Sequence, residues 1–166
     1  MMARLLVLMA AVALSGCGLH PLYGGGSSSP VATTLRSVEV APIEGQAGWL
    51  MHNKLTERLG AAGESAPAYR LEVELDDNIT GFGIRGDRAV TRERRTLRAR
   101  YRLVDLGGGG VVLDATAGSD AGIDVVSSEY ATIAAEQTAL ERLSEVVADQ
   151  IVARLGLFAA RTGGSR

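Results

Sequence analysis

The side chains best suited to binding chemistry in this sequence are arginines concentrated in one short stretch. Eight of the chain's 17 lysines and arginines lie from Arg85 to Arg102, among only two acids, Asp87 and Glu93. A guanidinium group is planar and can donate two parallel hydrogen bonds to a phosphate or a carboxylate. The stretch therefore predicts an anion-binding surface on a chain whose formal net charge is only −2.

The second chemically distinctive residue is Cys17, the only cysteine among 166 residues. The segment Leu14-Ser15-Gly16 precedes it, and the four residues together resemble the lipobox of bacterial lipoproteins, in which the thiol is lipidated and the chain is cleaved before it. Upstream lie Arg4 and an apolar run of residues 5–14, as in a secretory signal. That run is shorter than the ~20 residues of a membrane span. We predict that residues 1–16 are a signal peptide that is removed.

Lipidation would give Cys17 an S-diacylglycerol and an N-acyl chain such as palmitate. Two or more chains anchor a protein stably, at ~0.8 kcal/mol per buried methylene. The modified sulfur could then serve neither a disulfide nor a metal nor catalysis. Gly18 follows, where lipoproteins retained in the inner membrane often carry Asp. By resemblance to that sorting rule we expect the outer membrane, on its periplasmic side.

The elements that must position the arginines can be read from the hydrophobic pattern. Residues 17–34 are rich in Gly, Ser and Pro and predict a flexible tether, residues 35–158 a single α/β sandwich domain, and residues 159–166 a disordered tail. Alternating patterns predict strands over 35–43, 69–77, 94–106 and 111–117. Helical spacing predicts one helix over 48–59, with Gly60 as its stop, and a long final helix that Gly156 ends.

The predicted order is β-α-β-β-β-α. It indicates an α+β fold in which an antiparallel sheet of about four strands carries two helices on one face. The buried stripe of the final helix should contain Ile133, Leu140, Leu143, Val147, Ile151 and Leu155.

The two clearest strands present an acidic and a basic row. If they pair, Glu72, Glu74 and Asp76 neutralise Arg98, Arg100 and Arg102, and we favour this solvated strand face for those three arginines. Residues 78–93, with their glycines, predict an irregular protrusion where the acids run out. The candidate phosphate-binding residues are the arginines of this region: Arg85, Arg88, Arg92, Arg94 and Arg95.

Other motifs favour no enzyme. Residues 81–86 spell G-x-G-x-x-G, but an arginine-rich strand follows where a dinucleotide site requires a helix. The two histidines, His20 and His52, have no partners at ligand spacing, so we expect neither a metal nor a cofactor. A secreted, membrane-tethered chain rarely meets nucleic acid, so phosphorylated lipid is the expected anion.

The mature N-terminus from Cys17 to Gly24 reads Cys-Gly-Leu-His-Pro-Leu-Tyr-Gly. It resembles the LPS-assembly lipoproteins of the LptE family, particularly those of α-proteobacteria, and the predicted order of elements agrees. The resemblance implies an outer-membrane lipoprotein that plugs a large LPS-translocon β-barrel, aids its assembly and helps deliver LPS to the outer leaflet. The arginines would then bind lipid A phosphates. The alternatives are an auxiliary lipoprotein of an ABC-type lipid transporter and, third, a periplasmic enzyme.

Overall fold

The computed structural model describes residues 29–60, 66–84 and 90–163. Its elements are α1 (Pro30–Arg36), β1 (Val38–Val40), α2 (Gly45–Leu59), β2 (Tyr69–Ile84), β3 (Val90–Asp105), β4 (Val111–Asp124) and α3 (Glu129–Gly163). The strands form one sheet in the order β1-β2-β3-β4. The predicted α+β class with four strands is confirmed, whereas the described part contains three helices rather than two.

The sheet is mixed, so the prediction of a purely antiparallel sheet is wrong at one edge. Strand β1 pairs with β2 in parallel, with Val38 opposite Tyr69. The pairs β2–β3 and β3–β4 are antiparallel. Helix α2 carries the chain from the end of β1 back to the level at which β1 began, and such a crossover makes the flanking strands parallel. The helix predicted between the first two strands already implied this geometry.

Helix α1 lies across the predicted boundary between tether and domain. The side chain of Ser29 accepts a hydrogen bond from the backbone N–H of Ala32 at 3.1 Å, and Pro30 occupies the first turn. Both residue types favour a helix start. Leu35 is therefore buried as part of a helix, and the strand predicted over 35–43 is reduced to the three residues of β1.

The helices cover one face of the sheet, and the core lies between them. From β2, β3 and β4 it takes odd-numbered residues, and β1 adds Val38; in β2 and β3 this is the face that the alternation predicted. The odd-numbered residues are Leu71, Leu97, Ala99, Tyr101, Leu103 and Ala117. Helix α2 adds its predicted face of Met51, Leu55 and Leu59. Helix α3 adds Leu140, Leu143, Val147, Ile151 and Leu155. The predicted amphipathic patterns are thus confirmed for these positions.

Helix α3 does not end at Gly156, which is buried inside it. An internal glycine costs only about 1 kcal/mol in a helix. The buried side chain of Ala159 and the edge-to-face contact of Phe158 with Tyr69, 5.9 Å between ring centroids, extend the packing beyond the glycine. The helix therefore continues to Gly163, into residues 159–166, which were predicted to form a disordered tail.

One position at the start of α3 also differs from the prediction. Ile133 is 55% exposed, and the adjacent Thr132 takes the buried position instead. Neighbouring residues in a helix point about 100° apart, so a shift of one residue moves a side chain from the core to its flank. No helix within residues 29–60, 66–84 and 90–163 combines the length and the apolar character needed to cross a membrane.

Candidate functional site

Most of the described arginines of the basic stretch lie on the side of the sheet opposite the helices. We call this side the open face: the even-numbered residues 72–82 of β2, 92–102 of β3 and 114–124 of β4. The register places acids of β2 opposite arginines of β3 in three successive rows, Glu72–Arg102, Glu74–Arg100 and Asp76–Arg98. The predicted pairing of an acidic with a basic strand is confirmed.

The ion pairs, however, form mainly with β4. Arg100 Nη2 lies 3.1 Å from Asp114 Oδ2, and Arg98 Nη2 lies 2.9 Å from Asp120 Oδ1. Arg102 is the member of the three that pairs with β2, at 3.2 Å from Glu72 Oε2. The hydrogen bond with Arg100 lowers the pKa of Asp114. The aspartates of β4 therefore supply counter-charges that the sequence analysis did not assign.

A glycine explains why Arg98 reaches across β4. Gly118 stands opposite Arg98, and a Cβ added to Gly118 would lie 2.4 Å from Arg98 Cδ. The guanidinium group crosses this gap and also donates to the carbonyl of Ser119 at 3.0 Å. The missing side chain at Gly118 thus makes room for the bridge to Asp120.

Strands β2 and β3 continue as a regular hairpin into the region predicted to be irregular. Their ladder runs on from Asn78–Thr96 to Ile84–Val90, and β4 accompanies β3 as far as Asp124. The irregular protrusion predicted over 78–93 is therefore wrong for the described residues. From Arg92 onward β3 has a partner strand on both sides, which keeps its backbone groups paired, and Gly81 of β2 stands within the ladder opposite Glu93.

Some of the predicted site residues lie within the described part of the chain and others do not. Cys17, Arg85 and Arg88 lie outside the described residues. Arg92 is on the open face and pairs with Asp124, with Arg92 Nε 3.1 Å from Asp124 Oδ1. The expectation that acids run out near this end of the hairpin is therefore wrong for Arg92, because β4 extends far enough to supply one.

Arg95 points the other way, toward α3. It donates from Nε and Nη2 to the carboxylate of Asp77, at 2.8 and 2.5 Å, and from Nη1 to the backbone carbonyl of Glu136 at 2.8 Å. Its side chain is only 12% exposed. The hydrogen bond with Asp77 raises the pKa of Arg95. This geometry favours a role in holding α3 to the hairpin over a role in binding phosphate.

A carboxyl group with one buried oxygen lies beside this junction. Glu93 is on the helix-facing side of β3, and its Oε2 atom is buried without a hydrogen-bond partner among the described residues. Burial raises the pKa of Glu93, and the nearby carboxyl of Glu136 raises it further. The junction between hairpin and α3 therefore contains two acids that repel each other when both are ionised.

Arg94 is the described arginine whose environment best fits an external anion. Its guanidinium carbon lies 5.5 Å from the ring centroid of Phe82, which is 40% exposed. Its neighbours in register are Thr80 and Gly122, which carry no charge. No carboxylate pairs with Arg94 in the described part of the chain. The end of the open face therefore combines an available cation with an exposed aromatic ring.

The described residues contain no group of three or more His, Cys, Asp or Glu arranged to hold a metal ion. The features of the candidate site on the open face are thus its arginine side chains and the exposed ring of Phe82.

Comparison with protein families decides the classification. Residues 35–155 match the family model described as "LptE: Lipopolysaccharide-assembly". The chain belongs to the LptE family. The family that was inferred from residues 17–24 and from the order of elements is thereby confirmed, on the evidence of residues 35–155. No curated protein matches the sequence significantly.

Solved lipoprotein structures share the fold of this LptE-family chain. A lipoprotein from Caulobacter crescentus is 25% identical, with a TM-score of 0.65 over 78% of this chain and 96% of that one. Rare lipoprotein B from Shewanella oneidensis is 8% identical, with a TM-score of 0.57 over 76% and 96%. A minor lipoprotein from Acinetobacter baumannii is 15% identical, with a TM-score of 0.55 over 72% and 88%. The last two likenesses concern the fold alone.

Proposed function

We propose that this LptE-family protein is an outer-membrane lipoprotein, anchored through acyl chains on Cys17, that plugs the LPS-translocon β-barrel. It assists the assembly of that barrel and helps deliver LPS to the outer leaflet. Membership of the LPS-assembly family supports the broad role. The proposed action is non-covalent and needs no cofactor beyond the lipid anchor.

The observation that carries the binding step is the pair formed by Arg94 and Phe82. Lipid A combines phosphate groups with acyl chains, so its recognition requires a cation beside an apolar surface. Arg94 supplies a guanidinium without a carboxylate partner among the described residues, and Phe82 supplies an exposed ring 5.5 Å away. Arg92 lies next on the same face and could exchange its exposed partner Asp124 for a phosphate, since exposed ion pairs contribute only about 0–1 kcal/mol.

Two matched quadruple variants test this step. Replacing Arg85, Arg88, Arg92 and Arg94 with Ser removes four of the five predicted phosphate-binding arginines and keeps Arg95, which contacts α3. Replacing Arg98, Arg100 and Arg102 of the open face together with Arg70, which lies near Glu39 at the base of β2, with Ser removes the same charge away from the predicted site. Binding of purified LPS to the full-length protein in detergent should weaken roughly tenfold or more in the first variant, because charge-assisted hydrogen bonds are worth about 1.5–3 kcal/mol each. The second variant should stay within about threefold of the parent. Equal losses in both would refute a local site.

Co-purification tests the proposed partner. The lipidated protein extracted from membranes in detergent should carry a large β-barrel protein with it. Recovery of ATPase subunits in its place would support the ABC-transporter alternative. Mass spectrometry of the extracted chain should find Cys17 as an acylated N-terminus, and an unmodified thiol or an intact leader would refute the anchor.

A further inference from the structure

The outer edge of β4 differs from the outer edge of β1. Among residues 29–60, 66–84 and 90–163, the sheet order leaves one side of β1 and one side of β4 without a neighbouring strand. Strand β1 has only three residues, and a short edge offers little to an incoming strand. Strand β4 has 14 residues, so its unpaired backbone forms a long template for additional hydrogen bonds.

One contact on this edge shows which backbone groups point outward. The side-chain amide of Gln150 lies against Gly118, where Oε1 accepts from Gly118 N–H at 3.2 Å and Nε2 donates to the Gly118 carbonyl at 3.4 Å. In an antiparallel ladder the N–H and C=O of one residue point to the same side and alternate along the strand. Because the register is continuous from Gly118 to Asp124, Asp120 and Gly122 also present both groups outward.

Gln150 thus occupies the edge at Gly118 as a strand would, and no described residue makes such a contact with the backbone of Asp120 or Gly122. Neither proline nor lysine occurs in β4, although both commonly block edge strands. The carboxylates of Asp120 and Asp124 are drawn across the open face to Arg98 and Arg92, which reduces their ability to repel an incoming chain. The backbone N–H and C=O groups of Asp120 and Gly122 can therefore form hydrogen bonds with an added strand.

A groove of about 430 Å³ runs beside this edge, between residues 121–124 of β4 and residues 134–142 of α3. Its helix side consists of Ala134, Ala135, Thr138, Ala139 and Arg142. Small side chains leave room for the residues of an added strand. Arg142 is exposed and has no carboxylate partner among the described residues, so it supplies a charge that a ligand can match.

We propose that this edge, residues 118–124 of β4 with the adjoining groove, binds an extended segment of a partner polypeptide as an added strand. Backbone hydrogen bonds to Asp120 and Gly122 supply the attachment. The side chains of the segment that enter the groove are small, and one of them is a carboxylate that pairs with Arg142. This mode of recognition uses the main chain for affinity and alternate side chains for specificity.

Photo-crosslinking in cells that produce the full-length lipoprotein tests this site. The photoreactive residue p-benzoylphenylalanine replaces Thr138 in the groove or, as a control, the exposed Thr56 on α2. We expect an adduct from position 138 that maps to one short segment of another polypeptide, and none with that segment from position 56. An adduct with a second copy of this chain, an adduct with lipid alone, or no adduct would each overturn the proposal.

Two pairs of variants examine how the segment is held. Gly122→Pro removes the outward N–H, whereas Gly122→Ala keeps it and places a methyl group where no atom lies within 4 Å. The adduct should fall about tenfold with Pro and stay unchanged with Ala, as expected for loss of a main-chain bond plus a steric block. Arg142→Glu should reduce it severalfold, and Arg161→Glu should not.

Circular dichroism and the midpoint of thermal unfolding verify that the Gly122→Pro variant is folded. If the Gly122→Pro variant is not folded, the comparison of Arg142→Glu with Arg161→Glu tests the proposed groove. Adduct formation that is indifferent to the Arg142 change would then refute the proposed groove. This docking site is independent of the LPS-binding role, because each can fail while the other test succeeds.

Discussion

The two halves of the β2–β3 hairpin have the same ladder but different support. Near its base, residues 69–77 and 97–105 place one row of side chains in the core and the other row in water. Toward its tip, residues 78–83 and 92–96 have polar or exposed side chains on both faces, including Ile79, which is 39% exposed. The base is held by burial, and the tip by backbone pairing and by contacts with the start of α3.

Arginines at the base of the hairpin contribute to the stability of the sheet, whereas one arginine at the tip is available to bind a ligand. At the base, arginines are paired with aspartates or glutamates, so their charges stabilise the sheet and are already satisfied. At the tip, Arg95 is used inside the fold while Arg94 faces outward beside Phe82. Arginine content alone therefore does not locate a binding site, because the partners of each guanidinium decide whether it can accept an external anion.

The largest expected effect comes from truncating the core beneath the base. Ile151→Ala removes a completely buried side chain and should lower the free energy of unfolding by about 2–5 kcal/mol. The same substitution at the tip, Ile79→Ala, should cost less than about 1 kcal/mol. Urea unfolding of the two variants measures the contrast. Equal costs would mean that the tip is packed as tightly as the base.

An intermediate effect is expected where the tip meets α3. Arg95→Ala leaves Asp77 and the carbonyl of Glu136 without their donor, and should cost about 1.5–3 kcal/mol. Arg102→Ala, on the open face near the base, breaks an exposed pair with Glu72 and should cost about 0.2–1 kcal/mol. Hydrogen exchange should accelerate in residues 78–84 and 90–96 only in the first variant. A uniform acceleration in both would contradict the assigned role of Arg95.

The smallest effect is a pH dependence at the same junction. Because the pKa of Glu93 is raised in the folded protein above its ordinary value of 4.5, the folded state binds this proton more tightly than the unfolded state. Its contribution to stability is therefore present below that value and is lost as pH rises through the raised pKa. Glu93→Gln should be more stable than the parent at pH 7, with an advantage that shrinks as the pH falls through the raised pKa of Glu93 and is gone below about 4.5.

Denaturant unfolding at several pH values measures this advantage. Glu141→Gln, an exposed change on α3, is the control and should show no comparable trend. A gain from Glu93→Gln that stayed constant with pH would show that ionisation of Glu93 is not its cause.

Local signals made some of the site predictable. Period-two alternation located the core face of β2 and β3 and set acids opposite arginines, since strand side chains alternate strictly. Likewise Gly60, with φ of +84°, ends α2 as its sequence position indicated. The Ser29-Pro30 signal for α1 was present in the sequence and was missed within a Gly- and Ser-rich segment.

The order of amino acids was enough to identify most core-facing residues, the concentration of arginines, and the motif at Cys17 that predicts a lipid anchor. The identity of the acid that each arginine meets, the continuation of α3 through Gly156 and the extension of β2 to Ile84 became clear from the three-dimensional arrangement. The two kinds of information differ in the sequence distance over which the interactions act. Alternation and helix stops act within a few residues, whereas ion pairs across β4 and packing of Phe158 on Tyr69 join residues far apart in the chain.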